Sequence, residues 1–307
     1  MDNQLNIPHI PVLLNETLSL FDNMKDGFFI DCTCGFGGHS EAILKKFPNI
    51  KLIAIDQDIE ALNFAKKRLE PFKDRVEFIH SRSSEALLNF KDRKIAGILA
   101  DIGVSSYQLD ERERGFNFEG ETLDMRMNQS QQFSAYDVVN FYSVNELERI
   151  FKEYGEERYS KKIAIKIVER RKDKKFTSSK ELAEFIESFI PRKKIHPATQ
   201  VFQAIRIEVN QELSELEKLL ENSLKIADKG TILSIITFHS LEDRIVKRKF
   251  KEWSKNCICP SDAFRCECGN NNAKVRLINK KPLTASKEEI LTNPRSRSAK
   301  VRGVEFL

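Results

Sequence analysis

The sequence predicts an α/β protein in which a doubly wound parallel sheet is interrupted by an inserted helical domain. Three observations predict it. Short apolar runs alternate with helical stretches across the first hundred residues. That rhythm stops after Asp101, and only helical periodicity continues to about Ala204. A β-branched run then returns at Thr231 to Phe238. Apolar runs too short to be helices, separated by amphipathic stretches, are the pattern of a parallel sheet with crossover helices.

The elements follow in order. Gly27 to Asp31 reads as a buried strand, followed by a glycine loop and a helix from Ser40 to Phe47. Lys51 to Asp56 is a second strand, and Ile59 to Leu69 an amphipathic helix. Arg75 to His80 and Ile95 to Asp101 are the third and fourth strands. In the insertion, helical periodicity covers Val144 to Tyr154, Tyr159 to Arg171 and Ser179 to Ile190, with Ser178 and Ser179 as candidate caps. Arg206 to Ile226 reads as one long amphipathic helix, closed by Gly230 ahead of the fifth strand. Lys274 to Ile278 and Ser298 to Phe306 are expected to pair as antiparallel edge strands. The expected domains are 1–107 with 205–307 for the core, and 108–204 for the insertion.

Composition narrows the class. The 307 residues are 40% hydrophobic and 32% charged, a soluble globular balance. No run approaches the ~20 apolar residues of a membrane span, and Met1 to Pro11 lacks a basic segment followed by an apolar core. The expectation is a cytoplasmic protein with no membrane partner. A net charge of +5 points weakly to nucleic acid. Basic residues cluster in Lys161 to Lys175, Arg192 to Lys194 and Arg244 to Lys251, either as solvated helix faces or as a phosphate-contacting surface.

The first chemical signal is Asp31-Cys-Thr-Cys-Gly-Phe-Gly-Gly-His39, directly after the first strand. Glycines there allow a sharp turn and close approach of a ligand to the backbone. Asp56 ends the second strand, about twenty residues beyond Gly35, where a carboxylate can accept hydrogen bonds from both ribose hydroxyls of an adenosine. A dinucleotide fingerprint needs a third glycine where this chain has Ser40, which favours a nucleoside without a pyrophosphate over NAD. Asp101, at the end of the fourth strand, faces the same crevice either as a turn cap or as an acceptor for a donor or target N–H.

These motifs continue through the chain as His9-Ile-Pro-Val-Leu-Leu-Asn-Glu16, Gly37-Gly-His-Ser40, Asp101-Ile-Gly-Val-Ser-Ser106, Arg114-Gly-Phe-Asn-Phe118 and Leu123-Asp-Met-Arg-Met127. Tyr154-Gly-Glu-Glu-Arg158, His196-Pro-Ala-Thr199, Phe202-Gln-Ala-Ile-Arg206, Asn210-Gln-Glu-Leu213, Phe238-His-Ser-Leu-Glu-Asp-Arg244 and Asn293-Pro-Arg-Ser-Arg-Ser298 complete them. In these stretches, which span nearly the whole chain, the sequence closely resembles the ribosomal RNA small subunit methyltransferase H family, also called MraW. The resemblance implies a Rossmann-like methyltransferase core with an inserted helical domain that recognises RNA. It implies S-adenosyl-L-methionine as cofactor. The implied target is the N4 amine of one cytidine in small-subunit (16S) rRNA near the decoding centre, within a ribosomal subunit or assembly intermediate. It places the donor against Gly37, Gly38, His39, Asp56, Asp101 and Gln108. Ser83 stands where relatives often carry a phenylalanine, which removes an aromatic wall from the donor site.

A cytosine N4 amine is a poor nucleophile, so such an enzyme must align nitrogen, methyl carbon and sulfur and hold an unstacked base. Candidate catalytic residues are Asp101, Ser105, Ser106, His239 and Glu242. His239 is an acid, a base, an orienting donor or a satisfied structural histidine. Tyr107 and Phe116 stack on the base or simply pack. No metal ligand is assigned; Cys257-Ile-Cys259 and Cys266-Glu-Cys268 are either a structural zinc set or reduced surface thiols. Two other classes remain in view: a non-enzymatic RNA-binding assembly protein, and an NAD-dependent oxidoreductase.

Overall fold

The structure is a computed structural model and describes residues 11–192, 194–260 and 264–307. His9 of the first motif and Lys193 of the second basic cluster lie outside the described residues. Two compact units emerge, one running up to Gly103 and again over Glu215–Leu307, the other Val104–Ser214.

The first unit is built on a sheet of eight strands: β1 (Phe28–Asp31), β2 (Lys51–Asp56), β3 (Val76–His80), β4 (Ile95–Asp101), β5 (Ile232–Thr237), β6 (Val275–Leu277), β7 (Leu283–Thr284) and β8 (Lys300–Phe306). Their order is β3-β2-β1-β4-β5-β8-β6, with β7 paired to β8. Pairing is parallel from β3 through β5 and antiparallel around β8. The chain moves outward from β1 through β2 to β3, then returns to β1's other side for β4. That reversal makes the carboxyl ends of β1 and β4 the topological switch point, where an open α/β sheet receives its ligand. The expected pairing of the last strands is present, but only β6 is an edge. β8 is inserted between β5 and β6, with Val301–Val304 buried and the Arg302 charge paired to Asp243 at 2.7 Å.

Helices α1 (Leu14–Leu20), α2 (Gly38–Lys46), α3 (Ile59–Arg68) and α4 (Ser83–Ala86) belong to this half. Inward residues of α2 and α3, among them Ile43, Leu44, Leu62 and Ala65, join Leu52, Ala54 and Leu99 in one core layer. The other face is covered by the later helices described below, with Leu216, Leu219, Leu220, Val246 and Phe250 against Ile53, Ile98 and Leu233. Apolar burial on both faces explains why β2, β4 and β5 read as continuous hydrophobic runs.

The second unit is helical, and no strand occurs among its described residues. It contains α5 (Ser106–Asp110), α6 (Ala135–Phe141), α7 (Val144–Glu153), α8 (Ser160–Arg170), α9 (Ser179–Glu187) and α10 (Thr199–Asn210). Its core gathers Leu147, Ile150, Phe151, Ile163, Ile167, Phe176, Leu182, Ile186 and Phe202. Ser143 and Ser178 cap α7 and α9 by accepting the backbone N–H of Glu146 and Glu181. Phe116, a candidate for stacking on the target base, is buried in this core and packs instead.

The single long helix expected over 206–226 is two, α10 and α11 (Glu212–Ile226). Gln211 between them is left-handed at φ 55°. Asn210 explains the break: its side chain accepts the Met127 N–H at 2.8 Å and donates to the carbonyls of Met125 and Arg206 at 2.8 and 2.9 Å. The residue is thus committed to the 125–127 loop, and α10 stays with the second unit. The units therefore divide inside the first turn of α11, not at 204/205, and at Gly103 rather than 107/108. Helices α12 (Ser240–Trp253) and α13 (Lys287–Thr292) complete the first unit.

Replacing Asn210 by Ala strands the buried Met127 N–H and should cost about 2–3 kcal/mol. Urea unfolding checks this, and a loss below about 0.5 kcal/mol would show that the loop satisfies itself.

Candidate active site at the strand ends

Three neighbouring parallel strands end in aspartate: β2 in Asp56, β1 in Asp31 and β4 in Asp101. The loop 31–39 ties them together. Asp31 is buried; one oxygen accepts the Ser40 hydroxyl at 2.6 Å, the other the Thr33 N–H at 3.2 Å. Thr33 in turn accepts the Asp101 N–H through its hydroxyl at 2.6 Å. On the other side, Gly35 donates its N–H to Asp56 at 2.7 Å, and Asp58 donates its own to the second Asp56 oxygen at 2.9 Å. Asp58 then caps α3 by accepting the Glu60 N–H. The loop enters α2 through Gly37 at φ 76°, a left-handed conformation that favours glycine.

His39 sits in the first turn of α2. Its Nε2 lies 3.0 Å from the Val12 carbonyl, which can only accept, so that nitrogen carries the proton. Nδ1 faces Asp101 at 3.8 Å. Beyond β4, the end of β5 brings His239 and Glu242. One Glu242 oxygen accepts the N–H groups of Phe238 and His239 at 2.8 and 3.2 Å, closing the start of α12. The other lies 2.9 Å from His239 Nε2, close enough for an ion pair but outside hydrogen-bonding angles.

Electrostatics follow from the crowding of acids. Burial pushes Asp31 and Asp56 up to about 6, against the hydrogen bonds that favour their charged forms. Asp101 is raised well above the usual carboxylate range by burial first, then by the charges of Asp31 and Glu242. Its Oδ1 is buried with no hydrogen-bond partner among the described residues. Burial also lifts both Cys32 and Cys34, which flank the loop as neutral thiols. The crevice therefore concentrates negative potential and unfilled acceptor capacity at one sheet edge.

The first unit thus brings together Gly37, Gly38, His39, Asp56, Asp101, His239 and Glu242. Ser83 starts α4 and gives its hydroxyl to the Cys32 carbonyl at the end of β1. Ser105, Ser106 and Gln108 belong to the second unit. There Ser105 and Gln108 form a reciprocal cap of α5, each side chain bonding the other's backbone N–H at 3.1 and 3.0 Å. Ser106 is the first residue of that helix. Sequence reasoning missed Asp31 and Thr33 as members of the network. The signal for Asp31 was present, since it ends a strand just as Asp56 and Asp101 do.

The basic clusters divide by role. Arg171 donates to the Val139 carbonyl at 2.6 Å and to Tyr142, and Arg170 pairs with Glu181 and lies over the Phe176 ring. Both serve the second unit's own packing, whereas Lys161, Lys162, Lys172 and Lys175 are exposed. No described helix is long and apolar enough to cross a membrane.

The sequence is similar to known proteins along nearly its whole length. The chain is 63% identical over 304 residues to a protein of Nautilia profundicola named ribosomal RNA small subunit methyltransferase H, covering 98% of each. It is 58% identical over 300 residues to a protein of the same name from Wolinella succinogenes, covering 97% of this chain and 98% of that one. A solved rRNA methylase from Streptococcus thermophilus aligns with 97% of this chain and 99% of its own at 10% identity; its TM-score of 0.41 adds nothing to the topology traced above. The model of the MraW methylase family matches residues 6–307. The chain belongs to the MraW methylase family.

Proposed function

We propose that this chain transfers the methyl group of S-adenosylmethionine to small-subunit rRNA, and specifically to the N4 amine of a cytidine near the decoding centre. The observation that carries the reading is the set of strand-end carboxylates joined by one glycine loop, in a chain of a methylase family whose near relatives are named for small-subunit rRNA. Target base and position rest on the family resemblance.

The donor's chemistry fits the crevice. An adenosine ribose offers two hydroxyl donors, and each Asp56 oxygen, though already accepting one N–H, keeps a further lone pair. A sulfonium is cationic, and a cation relieves the mutual repulsion of Asp31, Asp101 and Glu242. A pyrophosphate would add to that repulsion, which speaks against an NAD-dependent oxidoreductase. The unpartnered Asp101 Oδ1 is an acceptor still to be filled.

When bound, S-adenosylmethionine supplies a strongly electrophilic methyl carbon, so the chain's own residues mainly align the reactants. On the donor side stand Gly37, Gly38, His39, Asp56 and Asp101, with Ser83 shaping the wall. Asp101 accepts an N–H of the target amine, which localises the lone pair on nitrogen. With the donor bound, Asp101 or water would take the amine proton that methyl transfer releases. A carboxylate whose affinity for protons is raised is the better base for that step. His239 orients the base; Glu242, one oxygen of which is spent on the backbone of residues 238 and 239, is a positioning residue. Ser105 and Ser106 hold the start of α5. The exposed lysines of α8 and the segment after it supply phosphate contacts.

Tritium transfer from labelled donor to small-subunit RNA, followed by nucleoside chromatography, tests the reaction. The expected product is N4-methylcytidine; a label on C5 would refute the amine target. Donor binding without any transfer, on free RNA and on subunits alike, would favour a non-enzymatic assembly protein. Asp101→Asn should lower single-turnover methyl transfer at least ~100-fold and donor affinity much less. Asp56 predicts a pH dependence. Its ionised form accepts the ribose hydroxyls, so donor affinity should fall as pH drops through about 6. Calorimetry should record a Kd roughly tenfold weaker at pH 5 than at pH 8, and a flat, weaker profile for Asp56→Asn. An unchanged Kd in that variant would remove the ribose assignment.

A further inference from the structure

The four cysteines near the end of the chain take no part in the site above, yet the fold gathers them. Cys257, Cys259, Cys266 and Cys268 bring their sulfurs within 4.8 Å of one another. Cys257 lies 3.7 Å from Cys266 and 3.8 Å from Cys268, and Cys266 lies 3.6 Å from Cys268. A disulfide would need ~2.05 Å. A tetrahedral zinc with sulfur ligands at ~2.3 Å sets its sulfurs about 3.8 Å apart. Sulfurs this close surround a single ion rather than a multi-iron cluster.

The backbone around them is arranged to carry thiolate charge. Glu267 donates its N–H to Cys259 at 3.3 Å and Ile258 donates to Cys268 at 3.4 Å. The Cys259 N–H points to the Cys257 sulfur, and the Asn270 N–H to Cys268. The last bond needs the chain to fold back after Cys268, which Gly269 and Asn270 accomplish with φ of 77° and 52°. These N–H groups offset the net charge of −2 that four thiolates and one divalent ion carry.

Among the described residues, the arm's other anchors lie at its base. Its base is clasped where Trp253 ends α12, by the Lys274 N–H on the Trp253 carbonyl at 2.7 Å and by Asn272 bonds to Asn256 and Cys268. Between those points no described residue from 254 to 274 is buried, and Ile258 and Phe264 are exposed. An arm without apolar burial cannot offset its own conformational entropy. We propose that Cys257, Cys259, Cys266 and Cys268 bind one structural zinc ion that folds this arm. All four ligand positions are filled by protein, so the ion has no open site for catalysis.

The test uses the full chain, purified without chelator. Plasma mass spectrometry should find about one zinc per chain, and cobalt exchanged into the site should give the intense visible bands of a tetrahedral thiolate centre. The variant Cys266→Ser/Cys268→Ser should retain under about a tenth of the metal, and trypsin should cut its arm after the exposed Arg265 at least ~10-fold faster. Donor affinity should not change, since neither cysteine touches the crevice. Chain loaded with zinc and desalted that keeps less than about a tenth of an equivalent overturns the proposal. So does iron bound in place of zinc, or four thiols as reactive before chelation as after it. The metal content and cobalt spectrum of the unmodified chain decide the matter even if the double variant misfolds.

Discussion

The hydrogen bonds of the loop 31–39 are the constraint on which the rest of the site depends. Gly35 reaches across to Asp56 on β2, while Thr33 reaches the other way to the backbone of Asp101 on β4. Asp31, buried between them, holds the loop through Ser40 and Thr33. Three adjacent strands are thereby locked at their carboxyl ends by one turn of chain. The distance between the two outer carboxylates follows from sheet spacing and needs no further device.

That arrangement costs stability. Burying carboxylates is unfavourable by several kcal/mol each unless partners compensate, and here burial outweighs the hydrogen bonds for Asp31 and Asp56. Acids pressed together in this way store an electrostatic demand that a cationic ligand meets. The same logic separates the two halves of the β5 side. Glu242 is fully buried and satisfied on one oxygen by backbone N–H groups, whereas the His239 ring beside it is left with unfilled hydrogen-bonding capacity. Of the pair, Glu242 holds the helix start.

Many of the most distinctive residues of the sequence turn out to serve architecture. Arg114 is buried and donates to the carbonyls of Arg126 and Met127. Asp124 holds Arg126 through paired bonds at 2.8 and 2.7 Å, and Asn210 clasps the same loop from α10. Irregular backbone threaded beneath helices must find partners for its N–H and C=O groups. These polar clasps supply them in the stretch between α5 and α6.

The sequence by itself determined the strands, the glycine turn and the carboxylates that end β2 and β4, because apolar period and strand-end chemistry are local properties. It also determined that the middle of the chain is helical. Tertiary structure alone decided where α10 ends, since the break at Gln211 depends on Asn210 meeting a loop more than eighty residues away. It alone made Asp31 a member of the site, through Thr33 and the backbone of Asp101, turned Phe116 into core, and spent Arg171 on the carbonyls of a neighbouring turn. Each of these outcomes rests on burial and on partners remote in sequence, and a pattern read along the chain contains neither.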